Sequence, residues 1–268
     1  MAIVSELITY PVKGCAGVPS ADAMLTQAGL AYDRSFMVIG PDGTFRSQRR
    51  DPLLVTIHPA VSADGTQLTL RAPGAPGLSI EVDSTGPRRD ITMFGDPYRG
   101  IDQGDAVAGW LTGVLGVPSR LVRVPPEHDR VTKGRNPGTA AYADGGAVLV
   151  ASTASLAELN RRIPGDGVPI RRFRPNIVVD GWAEPHTEDQ LLRLGTGNAG
   201  LGFAKIAIRC AVTLVDPRTG GKGGPEPLRT LATYRRVPDK GGVAFGALYS
   251  VLTPGKLAVG DHLSWDVR

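Results

Sequence analysis

The chain has 268 residues, a formal net charge of +4, and 41% hydrophobic against 21% charged residues. That is the balance of a globular protein long enough to bury one large or two modest cores. No run of about 18 apolar residues is present, so no transmembrane helix is expected, and the mild basicity lacks the dense Lys/Arg stripe with interleaved aromatics that suits nucleic acid. Two cysteines, Cys15 and Cys210, exclude a disulfide framework and a four-thiolate zinc site.

Met1-Ala2-Ile3-Val4 runs straight into strand-like sequence without a basic-then-apolar leader, so a cytoplasmic location without a membrane anchor is expected. The 35 glycines and 22 prolines are scattered, punctuating many short extended segments. Strands are predicted over 2–9, 35–39, 67–71, 78–82, 97–101 and 120–124. The later ones are 147–151, 175–179, 203–209, 211–215, 243–252 and 257–265, the last with a Gly260-Asp261 turn that reads as a hairpin.

Helical periodicity is confined to three places. Residues 106–115 place Val107, Leu111, Val114 and Leu115 on one face, and residues 153–163 align Leu156, Leu159 and Ile163 behind an N-cap at Ser152 or Thr153. A short third helix is expected at 230–235. The fold class is therefore mainly β, with an N-terminal β domain at 1–117 and a C-terminal one at 118–268. The polar, Pro/Gly-rich stretch 125–146 follows that boundary, and a loop of such length is usually functional or disordered.

Gly195-Thr196-Gly197-Asn198-Ala199-Gly200 has the spacing of a dinucleotide fingerprint, but period-two alternation follows it where a helix is required. It reads as a hairpin turn. The histidines (His58, His128, His186, His262) are far apart and read as surface or loop residues.

Cys210 ends one predicted strand and starts the next. A lone strand cysteine is commonly a small buried hydrophobe. Against that, Arg209 adjoins it and a sharp exit follows at Asp216-Pro217-Arg218-Thr219-Gly220. A thiolate can complete the coordination of a metal held mainly by another chelator. No second protein ligand is evident, so any metal there arrives inside a cofactor. Arginines cluster at Arg46/Arg49/Arg50, Arg161/Arg162 and Arg171/Arg172/Arg174; they are either solvated or suited to bidentate anion binding. Phe173 and Pro175 inside the last cluster argue for a fixed geometry. Lys13-Gly14, Asp33-Arg34 and the glycine pair of Asp144-Gly145-Gly146 offer further charge and backbone donors.

Taken in order, these segments resemble the MOSC superfamily in its form with an N-terminal β-barrel domain, and the mitochondrial amidoxime-reducing components with their bacterial counterparts in particular. The segments are Tyr10-Pro11-Val12-Lys13-Gly14-Cys15, Gly29-Leu30-Ala31-Tyr32-Asp33-Arg34, Ser152-Thr153-Ala154-Ser155-Leu156 and Arg172-Phe173-Arg174-Pro175-Asn176. Glu188-Asp189, Arg209-Cys210, Asp216-Pro217-Arg218-Thr219-Gly220, Pro227-Leu228-Arg229-Thr230-Leu231, Tyr234-Arg235, Phe245-Gly246 and Val259-Gly260-Asp261 complete the set.

The resemblance implies two β-barrel-like domains and a molybdenum cofactor (molybdenum–molybdopterin) with Cys210 as its protein thiolate. It places Lys13, Gly14, Arg34, Asp144, Gly145, Gly146, Arg172, Arg174, Asn176 and Thr213 around the pterin and its phosphate, with Asp144 as the candidate acid or base. It also implies two-electron reduction of small N-hydroxylated substrates such as amidoximes, hydroxylamines and N-hydroxylated bases. Lys133 and Arg135 of the stretch 125–146 mark the expected substrate mouth. The chain ends at Arg268 without the cysteines of a fused iron–sulfur domain, so a separate donor is expected: a ferredoxin, a flavoprotein or a cytochrome b5-like protein.

Pyridoxal phosphate is the other cofactor kept in view. Gly14 stands where relatives often carry serine, no extra Cys or Pro precedes Cys210, and Gln190-Leu191 replaces a usual tryptophan. These departures bear on substrate scope and pocket shape. Cys15, in an alternating apolar neighbourhood, is the rival thiol and suits a buried structural role. Two other readings are a cofactor or sulfur carrier using Cys210 without turnover, and a β-domain protein that has lost its cofactor.

Overall fold

The computed structural model describes residues 1–267. Its largest sheet has nine strands, and its path runs Ser264–Val267, Leu191–Thr196, Ala199–Arg209, Gly242–Thr253, Val148–Ser152, Ile177–Asp180, Ile3–Thr9 and Val18–Ser20, with Arg236–Val237 paired to Gly242–Thr253. Neighbours on it are antiparallel except Val148–Ser152 and Ile177–Asp180, which the helix Thr153–Arg162 joins as a crossover must. Adjacent residues of single strands separate into two cores. Leu7, Val150 and Ile177 belong to one, while Ile8, Ala151 and Val178 belong to the other. Alternation of side chains across a strand gives this result, and cover on both faces explains why 147–151 reads as an unbroken apolar run.

A five-stranded sheet, Arg88–Met93, Asp96–Asp102, Arg120–Arg123, Phe36–Ile39 and Val12–Lys13, forms the centre of the other half. Val38 faces the core under the helix Asp105–Leu115, with Leu111 and Leu121, and Met37 faces a second core with Val122 and Tyr142. Burying a Leu or Phe side chain here contributes about 1.5–3 kcal/mol each. Strands cross the boundary near residue 118 in both directions: Ile3–Thr9 pairs with Ile177–Asp180, and Arg120–Arg123 with Phe36–Ile39.

The architecture is mainly β, as expected, with three α-helices: Asp105–Leu115, Thr153–Arg162 and Leu228–Tyr234. Ser152 is the N-cap of the second, its hydroxyl accepting from the Ser155 N–H at 3.1 Å. Gly197 makes the tight turn between Leu191–Thr196 and Ala199–Arg209, so the glycine-rich motif is a hairpin. Barrel closure is not seen among the described residues; the large sheet ends at two edges, Ser264–Val267 and Val18–Ser20.

Two strand expectations are corrected. Residues 211–214 form a 3-10 turn, because the Thr213 hydroxyl and N–H both turn back to the Cys210 carbonyl and satisfy locally what a ladder would have satisfied. Residues 257–265 are not a hairpin. Gly255–Ala258 pairs with Asp22–Thr26, and Ser264–Val267 with Leu191–Thr196. The Gly260-Asp261 turn between them docks on the first strand, through Gly260 N to Val4 O and Val4 N to Asp261 O.

Candidate functional site

A cavity of about 850 Å³ opens between the two halves. Its basic wall begins at Lys13, the last residue of Val12–Lys13. The buried ammonium donates to the Tyr142 carbonyl at 2.8 Å and pairs with the Asp144 carboxylate. Burial lowers its pKa, and Asp144 opposes that. For Asp144, desolvation acts upward, but Lys13, Arg34 and Arg174 overrule it and hold the carboxyl at about 2. The candidate acid or base is thus fixed as an anion at neutral pH.

Arg34 and Arg174 stand beside it, both with left-handed backbone (φ +48° and +58°). That conformation is uncommon for a residue other than glycine and persists where surrounding bonds impose it. Here the bonds are visible. Arg34 N–H donates to Tyr10 O at 2.7 Å, and its guanidinium donates to Asn176 Oδ1 at 3.0 Å and pairs with Asp33. Arg174 Nη1 donates to Cys15 O at 2.7 Å. Both guanidinium groups pack on the Tyr10 ring, 4.3 and 4.2 Å from its centroid. Arg174 Nη2 is buried and makes no hydrogen bond, leaving a donor available to a ligand.

Asn176 also lines the cavity, but its amide is fully engaged. Its Nδ2 donates to Ile8 O and Asp33 Oδ1, and its Oδ1 accepts from Arg34 and from Leu149 N–H. Its part is to aim Arg34. Gly14, Gly145 and Gly146 line the wall too. A Cβ at Gly145 or Gly146 would come within 3.1 or 3.0 Å of the Leu248 side chain, so the loop backbone packs closely on that side chain.

Cys210 faces this wall from the end of Ala199–Arg209. Its thiol is exposed, whereas Cys15 is fully buried in the N-terminal core and outside the cavity lining. Burial pushes the Cys15 thiol up to about 12, against a smaller opposing effect of Arg174. Cys210 is therefore the accessible thiol of the two. Arg172 and Thr213 do not line the cavity. Thr213 grips the Cys210 carbonyl through its hydroxyl at 3.0 Å and its N–H at 3.1 Å, and Arg172 Nη1 donates to the carbonyls of Thr213 and Leu214. Together they brace Cys210 from behind. Arg209 is anchored by Nη2 to Phe173 O at 2.8 Å, and its buried Nε has no partner.

The expected substrate mouth is half present. Lys133 lines the cavity, whereas Arg135 does not. Sequence reasoning passed over Phe45 and Phe94, whose rings lie 4.9 Å apart with the Lys13 ammonium 5.6 and 4.8 Å from their centroids. The only local signal was Phe94 preceding Gly95, in a turn where Phe94 itself has φ +57°. Lys205 and Lys240, also cavity residues, were missed. His186 lies in a turn, as a loop histidine would, but it is buried, in a second polar cluster with Glu188 and Asp189. Among the described residues no group of His, Cys, Asp and Glu could by itself hold a metal ion, so Cys210 is a candidate ligand only for a metal delivered in a chelator.

A family model described as the MOSC N-terminal beta barrel domain matches residues 1–118, and one described as the MOSC domain matches residues 137–264. The chain is 35% identical over 277 residues to mitochondrial amidoxime-reducing component 1 of Homo sapiens, covering 96% of this chain and 81% of that protein. It is 37% identical over 281 residues to mitochondrial amidoxime reducing component 2 of Bos taurus, with the same coverage. Among solved structures, the YUAD protein from Bacillus subtilis aligns over 98% of this chain and 94% of that one, at 10% identity and a TM-score of 0.43. None of these names refers to pyridoxal phosphate. No helix among the described residues is long and apolar enough to cross a membrane.

Proposed function

The chain belongs to the MOSC family, and on that premise we propose that it is a molybdenum-cofactor-dependent oxidoreductase that reduces N-hydroxylated compounds, amidoximes, hydroxylamines and N-hydroxylated bases among them. One observation carries the reading. An exposed thiol lines the same cavity as Arg174 and Arg209, whose buried Nη2 and Nε have no partner in the protein. That donor set fits the group: soft thiolate for the metal, charge-assisted donors for a phosphate-bearing pterin.

Arg34, Arg174 and Lys13 would hold the anionic part of the cofactor, with Gly145 and Gly146 allowing close backbone approach, and Cys210 would be the metal's protein ligand. When bound, the cofactor supplies the two-electron chemistry that turns N–OH into N–H, with two protons consumed and water released. The protein's residues hold that chemistry in place. Thr213 and Arg172 fix the backbone of Cys210, and Arg209 beside it is anchored to the Phe173 carbonyl. Asp144, ionised at neutral pH, raises the Lys13 pKa against the pull of burial, and its part is charge fixation rather than proton donation. Electrons would come from a ferredoxin, a flavoprotein or a cytochrome b5-like protein.

The test is turnover. Cofactor-loaded protein with reduced methyl viologen should convert benzamidoxime to benzamidine, and the Cys210→Ala variant should not. Absence of benzamidine from protein with verified molybdenum would sink the reductase reading and favour a carrier of cofactor or sulfur.

A further inference from the structure

The basic wall around Arg34 and Arg174 does not exhaust the positive charge of the cavity. Lys133, Lys205 and Lys240 line it as well, and among the described residues none of the three has an ion pair. Asp144, already paired with Lys13, is the acid lining the cavity. Resting on the reductase reading, we propose that these three lysines form an anion subsite for the substrate itself, selecting N-hydroxylated compounds that also carry a phosphate or phosphonate.

The placement is built into the fold. Lys205 is half-buried on the strand that ends at Cys210, and Ile206 and Ile208 separate the two along the cavity floor. Five residues of strand put about 17 Å between their backbones, less where the register shifts at Ile206/Ile208, and the lysine side chain shortens the gap to an incoming anion. Burial lowers the pKa of Lys205, and Arg130, Lys240 and Lys133 lower it further, so the cations share one neighbourhood.

Lys133 is not on a free loop. A Cβ at the next residue, Gly134, would sit 2.7 Å from Ala204 O, and Arg135 N–H and Asn136 Nδ2 donate to Ala204 O and Phe203 O. Those contacts pin Lys133 beside Lys205. Lys240 ends the turn Pro238–Lys240, whose next residues pack on Ile208 at Gly242. A concave site whose lysines are set back from the thiol by Ile206 and Ile208, with Arg209 next to the thiol, suits a small molecule with an anionic tail, a flat apolar body and a reacting head, more than the face of a protein.

Holoenzyme is assayed with benzamidoxime and with 4-(phosphonomethyl)benzamidoxime, and binding of the phosphonate is also measured by calorimetry. The expected result is a KM at least about tenfold lower for the phosphonate, the size of one charge-assisted hydrogen bond. That ratio should approach one in Lys205→Met, weaken in the exposed Lys240→Ala, and shrink with added salt. Equal KM values in the wild type overturn the proposal, as does loss of pterin from Lys205→Met, which would assign the lysines to the cofactor. If neither compound is reduced, the reductase reading fails instead. Calorimetry then decides the subsite: phosphonate binding lost in Lys205→Met supports it, and unchanged or absent binding overturns it.

Discussion

Two polar clusters lie on opposite sides of the stacked Phe173–Phe245 pair, whose ring centroids are 3.8 Å apart. Behind Phe245, the carboxylate of fully buried Glu188 accepts from Ser155 Oγ at 2.8 Å and Ser152 Oγ at 3.0 Å, while Tyr249 OH donates to its carbonyl at 2.7 Å. Asp189 pairs with Arg235, and neutral His186, pushed down to about 4 first by burial and then by Arg235, packs on Tyr234 and Phe245. In front of Phe173, guanidinium nitrogens of Arg174 and Arg209 are buried without partners beside an open cavity. The Glu188 cluster holds its carboxylates on protein donors and packs between helix Thr153–Arg162 and the sheet, with His186 Nδ1 and Nε2, Tyr234 OH and Arg235 Nε buried there without a partner. The Arg174 cluster differs in that its unmet donors line an open cavity, which is the arrangement that suits a ligand. The contrast can be broken at either end.

The largest effect is expected at Arg174. Arg174→Met removes a cation and the unpaired donor, and should lower retained pterin by tenfold or more at limiting cofactor, read by fluorescence of the released pterin. Unchanged pterin would place the phosphate elsewhere.

Glu188 tests the internal cluster. Burial, then Asp189, raises its pKa to about 7 against the pull of Ser155 and Ser152. A carboxyl whose folded pKa exceeds its unfolded one binds more protons when folded. Its penalty on stability is therefore absent below about pH 4 and grows as pH rises through 7. Glu188→Gln should gain on the wild type over that window, by on the order of 2–3 kcal/mol if the packing is kept, with cofactor content unchanged. A pH-independent difference in urea midpoints would contradict the assignment.

Smaller effects separate the thiols and test the brace. Ellman's reagent should label Cys210 in the native protein and Cys15 only on unfolding, because burial holds Cys15 at about 12. Arg172→Lys, which cannot reproduce its bonds to Thr213 O and Leu214 O, should change the labelling rate of Cys210 a few-fold and lower the unfolding free energy by about 1–3 kcal/mol. An unaltered rate would remove Arg172 from the account.

Much of this contrast was legible in the sequence, and unevenly so. The runs 147–151 and 243–252 and the helices behind Ser152 and around Leu111 stood out because burial on two faces or one stripe writes itself as apolar period. Strands such as Val18–Ser20, Asp22–Thr26 and Arg88–Met93 did not, being short or half-exposed with proline or charge inside. Residues 211–215 misled because β-branched Val212 and Thr213 carry strand propensity, which side-chain bonding to Cys210 overrides. At the site, Lys13, Arg34, Arg174 and Cys210 were identifiable as charge and thiol near turns. The separation of roles was not: Asn176 as an aiming residue, Arg172 and Thr213 as a brace, and Lys205 as cavity lining depend on distances across the chain that no local pattern encodes.

The central claim is that Cys210 completes a metal site whose cofactor the arginine wall holds. Molybdenum per chain, measured by elemental mass spectrometry on wild type and Cys210→Ala from a cofactor-competent host, tests it most directly. The account predicts near-stoichiometric metal in the wild type and a large loss in the variant. No molybdenum in the wild type with the host's supply verified, or full retention in Cys210→Ala, would contradict it.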